Sequence, residues 1–119
     1  MVNVLVIDDD EGILLLVKTT LKRANHEVLT ANNGRDGIRL AHSHRPDLII
    51  VDDAMPIMAG REVCAELRNS PVTNDIPIIL SSASLETNNP HYAATVGADG
   101  LLVKPFRPQD IVNLVNQLA

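Results

Sequence analysis

The stretch Pro46-Asp47-Leu48-Ile49-Ile50-Val51-Asp52-Asp53-Ala54-Met55-Pro56 decides the fold. Its centre is an almost unbroken apolar run that stops abruptly on two acids. A run without polar alternation is expected of a strand covered on both faces in a parallel sheet. Val2–Ile7 has the same character and also stops on acids, Asp8-Asp9-Asp10-Glu11. Working outward, Glu27–Ala31, Asp47–Val51, Ile76–Leu80 and Leu101–Val103 read with Val2–Ile7 as five short strands.

Helical patterns separate them. Leu14, Val17, Leu21 and Ala24 share a face, with Lys18 and Lys22 opposite. After the Asn33-Gly34 turn, Arg35 to His44 turns Ile38 and Ala41 inward. Arg61 to Asn69 turns Val63 and Leu67 inward and Glu62 and Glu66 outward. Asn89-Pro90 reads as a cap with proline at the first helical position, where an amide would be unpaired anyway, and Gly97 stops that helix early. Pro108 opens the last helix, in which Ile111, Leu114, Val115 and Leu118 follow i, i+3, i+4, i+7 spacing. Five β-α units imply one open, doubly wound α/β sheet with right-handed crossovers, over a single domain spanning 1–119.

Composition narrows the function. The 119 residues carry 10 basic and 15 acidic side chains, a formal charge of −5, which gives no electrostatic footprint for nucleic acid. One tyrosine and one phenylalanine leave little for base stacking. A single cysteine, Cys64, excludes an internal disulfide and fits a reducing, cytoplasmic setting. Met1-Val2-Asn3-Val4 has no basic segment ahead of an apolar one, so no signal peptide is expected there, and the longest apolar run, Ile13 to Val17, is far short of the roughly 20 residues needed to cross a membrane.

In a doubly wound sheet, ligands sit beyond the carboxyl ends of the strands. The residues there are Asp8, Asp9, Asp10 and Glu11; Asp52 and Asp53; Ser81, Ser82 and Ala83; and Lys104 and Pro105. Clustered carboxylates repel one another, which raises at least one pKa unless a cation is present. Mg2+ takes oxygen ligands, accepts one or two carboxylates and a phosphate oxygen, and keeps several waters. With a lysine ammonium and a hydroxyl alongside, the set suits phosphoryl transfer, and one carboxylate can itself be the nucleophile.

Each residue also has a plainer reading. Asp10 or Glu11 caps the first helix. Asp53 is a solvated neighbour, Ser82 a loop hydroxyl, and Lys104 a surface lysine lying along apolar surface. Proline after Lys104 biases that residue away from helix and so aims it. His26, His42, His44 and His91 read as surface residues, Cys64 as a small packed side chain, and Phe106 as core.

Taken in order, Val4-Leu5-Val6-Ile7-Asp8-Asp9-Asp10, the stretch Pro46 to Pro56 with Met58 and Gly60, Pro77-Ile78-Ile79-Leu80-Ser81-Ser82-Ala83, Gly97-Ala98-Asp99 and Lys104-Pro105-Phe106 resemble a receiver domain of the two-component response regulator family, in its chemotaxis-regulator-like form. The resemblance covers essentially the whole chain. It implies a flavodoxin-like sheet of order 2-1-3-4-5 with five helices. It implies that Asp52 accepts a phosphoryl group, in a Mg2+-dependent reaction, from a sensor histidine kinase or phosphotransfer protein. Asp9, Asp52 and the backbone carbonyl of Ala54 would hold the Mg2+ directly, and Asp8 through water. Ser82 and Lys104 would each pair with a phosphoryl oxygen. The domain would assist its own phosphorylation and dephosphorylation without being an enzyme in the ordinary sense. It would signal to a downstream protein target or fused output domain through the face formed by the fourth helix, fifth strand and fifth helix, where Tyr92, Leu101 and Phe106 are apolar candidates. Ser82 and the loop after it would shift on activation.

The chain departs from the family pattern at several positions. Leu101 stands three residues before the lysine, where an aromatic is common, which implies a smaller switch or one using another residue. Ala59 replaces the usual acid before Gly60. Ala54 and Ser84 offer no acid or amide to orient an attacking water, so self-dephosphorylation is expected to be slow. Asp53 directly after the acceptor has no account at this level.

A stand-alone module is the modest preference, since the chain stops after the last helix, although an excised receiver would look the same. The competing readings are a small haloacid-dehalogenase-type phosphatase using Asp8, a phosphorylation-independent pseudo-receiver acting only as a binding module, and a flavodoxin-like cofactor carrier. Four acids after the first strand argue against the last, and the order of acids before hydroxyl and lysine argues against the first.

Overall fold

The computed structural model describes residues 1–84 and 89–119. Ten elements alternate: β1 (Asn3–Ile7), α1 (Glu11–Arg23), β2 (Glu27–Ala31), α2 (Gly34–His44), β3 (Leu48–Asp52), α3 (Gly60–Arg68), β4 (Ile78–Ser82), α4 (Pro90–Thr95), β5 (Gly100–Val103) and α5 (Pro108–Leu118). All strand pairs are parallel, in the order β2-β1-β3-β4-β5. The doubly wound fold is as the apolar runs indicate.

Strand periodicity sorts the core into two layers. Val4, Val6, Leu48, Ile50, Ile79 and Leu102 pack with Leu14, Val17 and Leu21 of α1 and Ile111 and Val115 of α5. Leu5, Ile7, Ile49, Val51, Ile78 and Leu80 pack with Ile38 and Ala41 of α2, Val63, Cys64 and Leu67 of α3, and Ala93 of α4. Because both faces are covered, β1, β3 and β4 have almost no polar residue until their carboxyl ends, so that the polar groups collect at one edge of the sheet.

The strand ends differ from the sequence reading. β3 includes Asp52, and β4 runs over Ser81 and Ser82 instead of stopping at Leu80. Their side chains are polar, but their backbones stay in the ladder, with Asp52 opposite Ser81 and Ser82 opposite Val103. Backbone pairing, not side-chain polarity, sets where a strand ends.

The helix boundaries have local causes. Asp10 caps α1, accepting hydrogen bonds from the amides of Gly12 at 2.8 Å and Ile13 at 3.2 Å. Asn33 caps α2 through the amide of Asp36, and Asn89 caps α4 through that of Tyr92. α4 ends after one and a half turns, followed by Gly97 at φ 93°, a left-handed conformation that costs glycine little.

Arg68, at the end of α3, ties the opposite edge of the sheet. Its guanidinium donates to the carbonyls of Gly97, Asn74 and Ile76 and to Asp99, at 2.8–2.9 Å. Asp99 in turn accepts from the amide of Ile78 at the start of β4. No described helix is long and apolar enough to cross a membrane.

Candidate phosphoacceptor and metal site

Asp8, at the end of β1, is buried at 2 % exposure, and its Oδ1 accepts from the amide of Asp10 at 2.9 Å. The turn that starts α1 therefore also orients this carboxylate. Asp52, at the end of neighbouring β3, is buried at 5 %. Lys104 follows β5 and joins the two, its Nζ lying 3.0 Å from Asp8 Oδ2 and 3.0 Å from Asp52 Oδ1. Its backbone amide donates to Ser82 O at 2.8 Å, which links the ends of β4 and β5. The Lys104–Pro105 peptide is cis. Lys104 is thus not the surface lysine of the plainer reading.

Asp9 is exposed at the rim, and oxygens of Asp8, Asp9 and Asp52 lie within 4.8 Å of one another. Three carboxylates at that spacing, two of them buried, form the all-oxygen donor set that suits a hard divalent cation such as Mg2+. Ser82 is fully buried within β4, which corrects its reading as a loop hydroxyl. Ala54 is exposed just beyond β3.

The electrostatics follow from burial. Asp52 is pushed up to about 6, first by burial, then by the Asp8 charge, with the Lys104 hydrogen bond holding it down. Asp8 is raised for the same first reason, against the Asp10 amide and Lys104. Burial works against the Lys104 ammonium, but its hydrogen bonds to Asp52 and Asp8 outweigh it, and the net shift is upward. The site is therefore a half-buried cation shared between two buried carboxylates, each displaced from its ordinary range.

Gly60, which opens α3, lets that helix press on the acceptor strand. A Cβ there would sit 2.4 Å from the Asp52 carbonyl oxygen and 2.9 Å from the Asp53 Cα. The Gly60 amide donates to Asp53 O at 2.9 Å.

Several other sequence expectations meet the structure here. Asp53 is buried at 8 % and is not a solvated neighbour. Strand alternation sends it to the α3/α4 layer, where its charge reaches Cys64 and Tyr92. Cys64 is packed and its thiol is pushed up to about 11 by burial. Phe106 packs against the α1/α5 layer, and Tyr92 and Leu101 against the other. His42, His44 and His91 are exposed, whereas His26 is half-buried, its Nδ1 accepting from the Val2 amide at 3.1 Å. Of the loop joining β4 to α4, residues 85–88 lie outside the described residues. Sequence reasoning missed Arg61 beside Tyr92 and the anchoring role of Arg68; an arginine closing a helix whose other face is apolar was the only signal for the latter.

The sequence profile described as the response regulator receiver domain matches residues 4–116. The chain belongs to the response regulator receiver family. This receiver is 34% identical over 109 residues to the alkaline phosphatase synthesis transcriptional regulatory protein PhoP of Bacillus subtilis, covering 92% of this chain and 45% of that protein. It is 34% identical over 110 residues to the phosphate regulon transcriptional regulatory protein PhoB of Pseudomonas aeruginosa, covering 92% of the chain and 48% of that protein. The receiver therefore spans about half the length of these curated relatives. Among solved structures, the chemotaxis response regulator CheY4 of Vibrio cholerae superimposes with a TM-score of 0.92 at 34% identity, over 100% of this chain and 99% of that one. These matches make the chain a receiver of two-component signalling, consistent with phosphoryl acceptance. They give no support to the phosphatase, pseudo-receiver or cofactor-carrier readings.

Proposed function

We propose that residues 1–119 form a receiver that takes a phosphoryl group onto Asp52 from a sensor histidine kinase or phosphotransfer protein. The observation that carries this is the Lys104 ammonium held at 3.0 Å from both Asp8 and Asp52, beside the exposed carboxylate of Asp9. A carboxylate oxygen of Asp52 attacks phosphorus, the phosphorus–nitrogen bond of the donor histidine breaks, and the imidazole leaves with a proton. Asp8, Asp9, Asp52 and the Ala54 carbonyl are the groups that would hold Mg2+, which when bound supplies charge neutralisation at the phosphoryl oxygens. Lys104 pairs with one phosphoryl oxygen and the Ser82 hydroxyl with another.

The aspartyl phosphate carries roughly −1.5 to −2 charges, by analogy with ordinary phosphomonoesters, where the Asp52 carboxylate carried one, and it stands beside the carboxylates of Asp8 and Asp9. Drawing Lys104 and Ser82 toward it displaces the linked ends of β4 and β5. A downstream protein or fused output domain reads that displacement at the α4-β5-α5 face. The domain assists only its own phosphorylation and dephosphorylation, and acts in the cytoplasm.

Incubation with phosphoramidate, with and without Mg2+, followed by intact mass tests this reading. A single added phosphate is expected, dependent on Mg2+ and lost in Asp52→Asn. Folded protein that gains none contradicts it.

A further inference from the structure

Asp8, Asp52 and Lys104 share one face of the sheet, and a fourth polar side chain shares it with them. Each stands two residues beyond a member of the α1/α5 layer: Asp8 after Val6, Asp52 after Ile50, Ser81 after Ile79 and Lys104 after Leu102. Strand alternation therefore points all four the same way. Ser81 is also the ladder neighbour of Asp52, directly opposite it on β4. It is buried at 2 % exposure, and among the described residues its hydroxyl is the one buried side-chain polar atom without a hydrogen-bond partner. Ser82, the last residue of β4, is the hydroxyl proposed to pair with a phosphoryl oxygen; Ser81 lies one residue deeper.

A buried hydroxyl without a partner costs free energy, because it gave up water to enter the fold. Its position says where compensation can come from. The strand order is β1-β3-β4-β5, so the Lys104 side chain, reaching from β5 to Asp52 and Asp8, crosses β4 beside Ser81. At rest the ammonium holds Asp52 Oδ1 at 3.0 Å and supplies the hydrogen bond that Ser81 could otherwise give. The Ser81 backbone is fixed against the acceptor strand, its carbonyl accepting from the Asp53 amide at 2.8 Å. Only the side-chain rotamer and the hydroxyl proton are left to turn. Loading the site pulls Lys104 toward a phosphoryl oxygen. The Asp52 carboxyl group is then short of a donor, with an unused hydroxyl one strand away.

We propose that Ser81 is a further binding residue of the acceptor site: its hydroxyl, unpaired at rest, donates to the Asp52 carboxyl group once the phosphoryl group draws Lys104 off it. This rests on Asp52 being the acceptor and goes beyond it by adding a second hydroxyl, whose hydrogen bond exists only in the loaded state. A bond made in one state alone stabilises that state and leaves the other untouched. Removing the Ser81 hydroxyl therefore weakens loading without weakening the resting fold.

Ser81→Ala removes the hydroxyl, and Ser81→Cys replaces it with a thiol of similar size that hydrogen-bonds only weakly. The test is calorimetric titration with beryllium trifluoride and Mg2+, a phosphoryl mimic read at equilibrium, alongside urea denaturation of each protein without ligand. Both variants are expected to bind the mimic roughly threefold to tenfold more weakly than wild type, the worth of one hydrogen bond, with denaturation midpoints equal to or above that of wild type. A hydroxyl that only filled space in β4 would leave the mimic's affinity unchanged in Ser81→Cys. Affinity equal to or tighter than wild type in either variant overturns the proposal. So does a lowered midpoint in both, since it shows the hydroxyl already paired at rest; if one variant does not fold, the other decides by the same criteria. Wild type that fails to bind the mimic contradicts the phosphoacceptor reading itself, and the inference falls with it. Binding by wild type with unchanged affinity in the variants sinks the inference alone.

Discussion

Lys104 Nζ stands 3.0 Å from Asp52 Oδ1, pairing the end of β5 with a buried carboxylate at the end of β3. The same ammonium serves Asp8 at the same distance, so one cation offsets two buried charges. The compensation is incomplete, and the raised pKa values of both carboxylates record what remains.

That deficit gives stability a sign with pH. Asp52 sits at about 6 in the folded chain against an ordinary 3.8, so the folded state binds more protons between those values. Its contribution is complete below the ordinary value and is lost as pH rises through about 6. Asp52→Asn cannot ionise, and without divalent cation it is expected to be about 1–3 kcal/mol more stable than wild type near neutral pH. The gap should close toward acid pH. Urea denaturation of both proteins across that range checks it.

Lys104→Met removes the cation and leaves its two carboxylates facing each other. Both are expected to titrate higher than in wild type, with Asp52 above its about 6. The variant should lose about 2–4 kcal/mol near neutral pH and recover on acidification, as breaking a buried pair strands its partners. Carbon NMR titration of the labelled aspartates, with denaturation in parallel, measures both effects.

Asp9 is exposed and makes no part of the Lys104 pairing, so Asp9→Asn should change stability by less than about 0.5 kcal/mol. Its expected loss is in metal affinity. Wild type should gain about 2.7 kcal/mol at a hundredfold excess of Mg2+ over its dissociation constant, and Asp9→Asn far less at the same concentration. Thermal shift with increasing Mg2+ separates the two.

Gly60→Ala places a methyl 2.4 Å from the Asp52 carbonyl oxygen and 2.9 Å from the Asp53 Cα. Both are backbone atoms, at the end of the acceptor strand and just after it, and cannot turn aside as a flexible side chain would. A destabilisation of about 1–3 kcal/mol is expected. Because the displaced segment carries Asp52, weaker Mg2+ binding should accompany it. Denaturation and metal titration of the same variant test whether the two losses occur together.

The parts of this structure that the sequence made legible are those governed by periodicity. The apolar runs at Val4–Ile7 and Leu48–Val51 revealed doubly covered strands, and their abrupt ends on acids located the site edge. Asp10 as a cap and Gly97 as a stop were readable because local backbone chemistry decides them. Asp53 was misjudged because an acid after a strand looks the same whether it faces water or the layer under α3 and α4, and only the burial of the folded chain distinguishes the two. Ser82 was placed in a loop because its polarity suggested a strand end, whereas its ladder partner Val103 keeps it in β4. Arg68 bridges Asn74, Ile76, Gly97 and Asp99, a convergence that no local pattern reveals.

The central claim is that Asp52, rather than Asp8, Asp9 or Asp53, carries the phosphoryl group. Treating the chain with phosphoramidate and Mg2+, then reducing the acyl phosphate with borohydride, converts the modified aspartate to homoserine, which peptide mass spectrometry locates. The account predicts homoserine at position 52 and at no other acid. Homoserine at position 8 or 53, with Asp52 intact, would contradict it.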